Sequence, residues 1–193
     1  MNRISYTIRG ASPLLMHSCA GVNPLHPITK EIKKLTAKKK KTDEDLQLIS
    51  DLEYQSGIYF DEKIGPYVPA EMMEACLRDA AKRTKQGKNF TMAVMVSPDM
   101  IPLIYDGTRE LSGLIGNIAF RDSRPATVNR NKVMRTRPRF NSWSLKFDLE
   151  YSPDIIESSE TITEVLKTAG AYIGLGDYRP RYGRFEIIEV KNG

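Results

Sequence analysis

The stretch that most constrains the fold is residues 142–151. Trp143, Leu145, Phe147, Leu149 and Tyr151 occupy the odd positions, and Ser144, Lys146, Asp148 and Glu150 the even ones. Strict alternation over this length sends every apolar side chain to one face of an extended chain and every polar one to the other. That pattern belongs to a half-buried strand. The chain therefore needs a sheet with one apolar face and amphipathic elements to cover it.

Two helices have the right stripes. Met72, Met73, Cys76, Leu77, Ala80 and Ala81 recur at helical spacing behind Pro69, predicting a helix to about Thr84 with Gly87 as its stop. Ser158 or Ser159 is placed to cap a second helix running through Ile173, with Ile162, Val165, Leu166 and Ala169 inward. Further strands are expected at 3–9 (Ile4, Tyr6, Ile8), at Gly57–Phe60, at Asn89–Ser97, at Ile101–Tyr105 and at Arg184–Val190. Residues 115–121 and 125–140 read as extended, with Pro138 confining the second to a sheet edge or a strand end. Without its elaborations the order is βαββαβ, an α+β chain on a ferredoxin-like or RRM-like plan, read as one domain over 1–193. Residues 20–60 form an expected lysine-rich helical insertion. Ile28, Ile32 and Leu35 mark one of its helices, Leu46, Ile49 and Leu52 the other, and Thr42 with Asp45 makes a capping pair. Residues 106–140 form an expected β-rich insertion.

Charge distribution narrows the function. The formal charge is +5. Seven lysines in 30–41 are answered by seven acids in 43–62, so those segments nearly cancel. Residues 121–139 do not cancel: Arg121, Arg124, Arg130, Lys132, Arg135, Arg137 and Arg139 face Asp122 alone. Arg135, Arg137 and Arg139 are spaced by two and share a face in an extended chain, where like charges repel unless a polyanion or acids lie opposite. A phosphate backbone is one such partner, and arginine grips it bidentately. Phe140 and Trp143 are further along as candidate stacking rings, although Trp143 is in phase with the core positions of its strand.

A second basic cluster lies near the C-terminus. Gly174, Gly176, Tyr178, Arg179, Arg181, Tyr182, Gly183 and Arg184 fall within eleven residues. Glycines permit close backbone approach with N–H groups free for phosphate, arginines add charge, and tyrosines add a stacking surface. Gly174 is also explained by a helix C-cap. Both clusters are expected to converge on the sheet face that the helices leave open, the face on which RNA-recognition modules hold single strands.

Other chemistries are poorly served. The histidines are His17 and His26, and Cys19 and Cys76 stand far apart without metal-ligand spacing, so no metal or cofactor is expected. No apolar run approaches the ~20 residues of a membrane span, and the N-terminus lacks a signal-peptide core. A cytoplasmic, reduced protein is the simplest reading. His17, just after the first strand, is the one candidate general base.

The βαββαβ order, Gly10-Ala11-Ser12-Pro13-Leu14-Leu15 after the first strand, Val68-Pro69-Ala70 before the first core helix, and Gly174–Phe185 before the last strand together resemble the RAMP superfamily of CRISPR-associated RNA-binding proteins. The chain looks most like the backbone subunits that line guide RNA in effector complexes. That resemblance implies a modified RNA-recognition fold with large insertions, a glycine-rich loop before the last strand, and a ribonucleoprotein subunit. Met134–Phe140 and Gly174–Pro180 are also similar to bacteriophage or prophage proteins.

The leading expectation is a non-catalytic binder of single-stranded nucleic acid, RNA before DNA, forming a homo-oligomer along the strand or joining a ribonucleoprotein. One alternative is a metal-independent endoribonuclease of the same superfamily using His17. Another is a protein-interaction module that mimics or inhibits a CRISPR subunit.

Overall fold

In chain order, the elements are β1 (Asn2–Gly10), β2 (Leu14–Leu15), α1 (Pro27–Thr36), α2 (Asp43–Gly57), β3 (Phe60–Asp61), β4 (Gly65–Pro69), α3 (Ala70–Ala81), α4 (Gly87–Ala93), β5 (Val94–Ser97) and β6 (Met100–Pro102). They continue with α5 (Leu111–Ile115), β7 (Arg121–Val128), β8 (Asn131–Phe140), β9 (Ser144–Tyr151), α6 (Ser159–Thr168) and β10 (Phe185–Asn192). The computed structural model describes residues 1–21, 23–128 and 130–192. Val22 and Asn129, within the two expected insertions, lie outside the described residues.

The chain is α+β, with its largest sheet in the order β10-β1-β9-β5 and every neighbour antiparallel. The alternation over residues 142–151 sets this sheet's polarity. Leu145, Phe147 and Leu149 are buried with Ile4, Tyr6 and Ile8 of the paired strand β1. Helices α3 and α6 cover that face through Met73, Cys76, Leu77, Ile162 and Leu166. Burying each such side chain contributes about 1.5–3 kcal/mol. The Tyr6 hydroxyl, otherwise unsatisfied in this layer, meets Thr163 Oγ1 of α6 at 2.9 Å. Cys76 Sγ donates to Gly174 O at 3.2 Å, and burial pushes its thiol up to about 12, so it packs as a small apolar group with a weak donor. Pro69 stands one residue before α3, ending β4 in extended geometry, and Ser158 caps α6 through Thr161 N.

The helical hairpin forms as its spacing predicts, and Thr42 and Asp45 make a full capping box at the start of α2. It is no free-standing arm. Leu52, Tyr54 and Gly57 are buried, and α2 packs along β8. β8 itself belongs to a three-stranded sheet ordered β2-β8-β7.

Three expectations need correction. Residues 87–93 are helical, so Gly87 begins α4 rather than stopping a helix, and only Val94–Ser97 is strand. Phe90 and Ala93 are buried three apart while Thr91 and Met92 are exposed, a helical phase that the local β-formers obscured. Residues 115–121 are not a strand: Leu111–Ile115 and Ile118–Phe120 are short helical turns that bury Leu114. Gly57 ends α2, which leaves β3 only Phe60 and Asp61. Among the described residues no helix is long and apolar enough to cross a membrane, and no group of three or more His, Cys, Asp or Glu is arranged to hold a metal.

The sheet's uncovered face carries a pH-sensitive contact. Asp148 accepts from Ser5 Oγ and from Arg3, and these bonds, Ser5 first, hold its carboxyl below the ordinary range. A depressed carboxylate stabilises the fold above its unfolded pKa of about 3.9 and loses that contribution as pH falls through the lower folded value. Asp148→Asn is therefore expected to flatten the acid limb of stability below about pH 4. Urea midpoints across the acid range check this, and parallel curves for the two proteins would refute it.

Candidate nucleic-acid interface

β7 and β8 form a two-stranded ribbon in unbroken register from Arg121↔Pro138 to Thr127↔Lys132. One face turns to α2. Ser50, Thr136 and Ser123 share a hydroxyl chain there at 2.8 and 2.9 Å, and Arg121 reaches Asp51 at 2.6 Å with its guanidinium 5.5 Å from the Tyr54 ring. The other face gathers Asp122, Arg124, Arg135, Arg137 and Arg139, so the three arginines spaced by two do share a side.

They are not bare, however. Arg135 pairs with Glu53, Arg137 Nε lies 2.6 Å from Asp177, and Arg139 lies 3.4 Å from Asp122, which also pairs with Arg124. Glu53 in addition accepts from the Thr136 backbone N–H at 2.9 Å. The repulsion expected between these guanidinium groups is thus relieved by acids from α2, from β7 and from the glycine loop. The strand-local pattern offered no sign of Glu53 or Asp177, which are 82 and 40 positions away from their partners.

The glycine loop is built by close backbone approach. Leu175 N donates to Gly183 O at 2.9 Å, Gly183 N to Pro13 O at 2.8 Å, and Asp177 N to Leu15 O at 2.8 Å. Gly176 and Gly183 both have φ of 73°. A Cβ on Gly176 would stand 2.2 Å from Leu15 O, and one on Gly183 1.8 Å from Leu175 O. The glycines therefore let the loop lie against residues 11–15. This corrects the expectation of free N–H groups for phosphate: those of Gly174, Leu175, Asp177, Tyr178, Gly183 and Arg184 are taken by protein acceptors.

What the loop turns outward is side chains. Arg179, Arg181 and Arg184 are exposed, and among the described residues no carboxylate lies within ion-pair distance of them. Arg184 Nε donates to Pro180 O at 2.8 Å. Tyr178, 37% exposed, lies over the ribbon with its ring 4.9 Å from the Arg137 guanidinium and 5.2 Å from that of Arg124. Arg124 also donates to the Tyr182 hydroxyl at 2.8 Å, which lowers that phenol's pKa. Cation–π contacts of this kind contribute about 0.5–2 kcal/mol each and fix the loop on the ribbon.

Ribbon and loop thus converge, but on each other and not on the uncovered sheet face. That face is electrically balanced: Arg3, Arg9, Lys146 and Lys191 alternate with Asp148, Glu150, Glu186 and Glu189, and no aromatic ring lies among them in the described residues. Trp143 and Phe140 are 2% and 0% exposed, so neither stacks on a ligand. Trp143 Nε1 instead donates to Ser12 O at 2.8 Å beneath the glycine loop. Arg130 and Lys132 are exposed toward the ribbon's far end. His17 is exposed, and among the described residues its ring has no hydrogen-bond partner. A shallow groove of about 520 Å³ runs between the loop and the helix layer, lined by Asp79, Tyr172, Gly176, Tyr178 and Arg179.

No protein-family model and no curated protein sequence matches the chain. Among solved structures it is similar to a chain in the cryo-EM structure of the Type III-B Cmr-beta bound to cognate target RNA, at 13% identity with a TM-score of 0.57. The match covers 99% of this chain and 60% of the other, so the two share a fold at low identity and the present chain spans less than two thirds of that neighbour's length.

Proposed function

We propose that this chain is a non-catalytic binder of single-stranded nucleic acid, RNA before DNA, and a subunit of a ribonucleoprotein of the CRISPR RAMP type. The observation that carries this reading is the outward triad of Arg179, Arg181 and Arg184, without carboxylate partners, beside the exposed ring of Tyr178. Exposed cations next to a held aromatic surface suit a flexible polyanion with bases to stack, and a duplex would hide those bases. The likeness to a chain of an RNA-bound complex supports RNA as the polymer. On this reading Arg130 and Lys132 extend the contact along the ribbon. Arg124, Arg135, Arg137 and Arg139 hold the loop in place while lending positive potential, and Gly174 and Gly176 set its path. The sheet order β10-β1-β9-β5, with α3 and α6 on one side, supports a ferredoxin-like βαββαβ core. Residues 20–60 and 106–140 are then elaborations of a single domain that build the ribbon and its support.

The test is titration of labelled single-stranded RNA, single-stranded DNA and duplex of equal length across a salt series. Binding is expected to favour RNA single strands and to fall steeply with salt, by about 0.7 in the log–log slope per phosphate engaged. Affinity insensitive to salt, or preference for duplex, would sink the reading.

A further inference from the structure

Another basic cluster, outside the loop, lies at the C-terminal end of α3. Residues 78–88 hold Arg78, Lys82, Arg83, Lys85 and Lys88 against Asp79 alone. Lys82, Arg83, Lys85 and Lys88 are exposed. Asp79 is already engaged, with Lys82 at 2.8 Å and Arg78 at 3.9 Å, and those cations hold its carboxyl below the ordinary range. The dipole of α3 favours cations at its last turn and just past it, which accounts for Lys82 and Arg83. It does not account for Lys85 and Lys88, which follow that end. They line a groove of about 310 Å³ in which every charged side chain (Arg78, Lys82, Lys85 and Lys88) is basic.

This groove adjoins the one at the glycine loop. Asp79, on the wall of the loop groove, sits next to Arg78 of the basic one. Tyr172, which lines the loop groove, is 58% exposed, and its ring lies 4.8 Å from the guanidinium of Arg83, next in the chain to Lys82 of the basic groove. Lys82, Lys85 and Lys88 on one side of the Arg78–Asp79 contact, and Tyr172, Tyr178 and Arg179 on the other, thus line neighbouring grooves that together make a strip of basic and aromatic side chains.

We propose that this strip is an extension of the single-strand site: the phosphate backbone leaving Arg179 crosses Tyr172, where a base stacks, and continues over Lys82, Lys85 and Lys88. The extension rests on the single-strand reading above. It gives the chain a site longer than the glycine loop and a direction for the strand, along the helix layer.

The two are separated by oligonucleotide length. Uridine oligonucleotides of ~6 and ~20 residues, short and long relative to sites of this type, are titrated against the full chain and its Lys85→Glu/Lys88→Glu variant. Both positions are exposed, so the variant is expected to keep the wild-type unfolding midpoint. The wild type is expected to bind the long oligonucleotide more tightly. The variant is expected to bind the short one as the wild type does and to lose about 30-fold for the long one. If the variant matches the wild type at both lengths, the strip takes no nucleic acid and the extension fails while the loop reading stands. If both lengths weaken equally, the lysines belong to one compact site and the extension also fails. If the wild type binds neither length, the loop reading itself is overturned, and the extension with it.

Discussion

Replacing Arg179, Arg181 and Arg184 together by alanine is expected to weaken single-strand binding about 100-fold, if each lost charge-assisted contact removes about 1 kcal/mol. The salt slope is expected to fall by about 2 at the same time, since each released phosphate contributes about 0.7 for a single strand. Stability is expected to hold. The three side chains are exposed and have no carboxylate partner among the described residues, so their removal leaves no buried group unpaired. The pairing of large binding loss with an unchanged urea midpoint is the diagnostic result. Wild-type affinity in this variant would remove the loop from the interface. The same substitutions at Arg135, Arg137 and Arg139 are a poorer probe. Losing Arg135 and Arg137 would strand the carboxylates of Glu53 and Asp177, and the Glu53 side chain is nearly buried, whereas Asp122 would keep Arg124. Removing one member of such a pair destabilises the fold for reasons unrelated to ligand.

Gly183→Ala is expected to destabilise the fold by about 3 kcal/mol, which combines left-handed strain with overlap against backbone that has no rotamer to yield. At φ 73° a Cβ would stand 1.8 Å from Leu175 O and 2.6 Å from Leu175 N, atoms that themselves close the loop through the Leu175 N to Gly183 O bond. Relief requires the loop to lift from Pro13 and Leu15, which also releases Asp177 from Arg137. The urea midpoint measures the loss, and hydrogen exchange at Gly183 and Asp177 locates it. A variant as stable as the wild type would show that the loop's tight path is not what holds it to residues 11–15. Because this glycine organises the loop without meeting a ligand, its binding defect is expected to track its stability defect, unlike that of the arginine triad.

How much of this was legible in the chain depends on the range of the signal. Alternation at 144–151, the stripe of α3 and the Thr42–Asp45 cap are local, and each yielded its element, because period and capping act within a few residues. Residues 87–93 were misread because Phe90 and Ala93 choose their phase by what α3 offers them, and intrinsic preference is weaker than that packing. The glycine loop was legible as a special segment, but its chemistry was not. Whether a backbone N–H is free depends on acceptors at Pro13 and Leu15, some 160 residues distant. The basic cluster at 78–88 is visible as composition, but five cations spread along a helix end look like ordinary solvated surface until the fold brings Tyr172 beside Arg83.

The amino-acid order by itself determined the α+β plan, the covered and uncovered faces of the main sheet, and the presence of two arginine-rich segments, because side-chain periodicity translates directly into a face. Tertiary structure alone decided which charges are spent and which remain. Ion pairing depends on distances of a few ångströms between residues far apart in the chain, so Arg135, Arg137 and Arg139 are paired with acids, while Arg179, Arg181 and Arg184 have no carboxylate within ion-pair distance among the described residues.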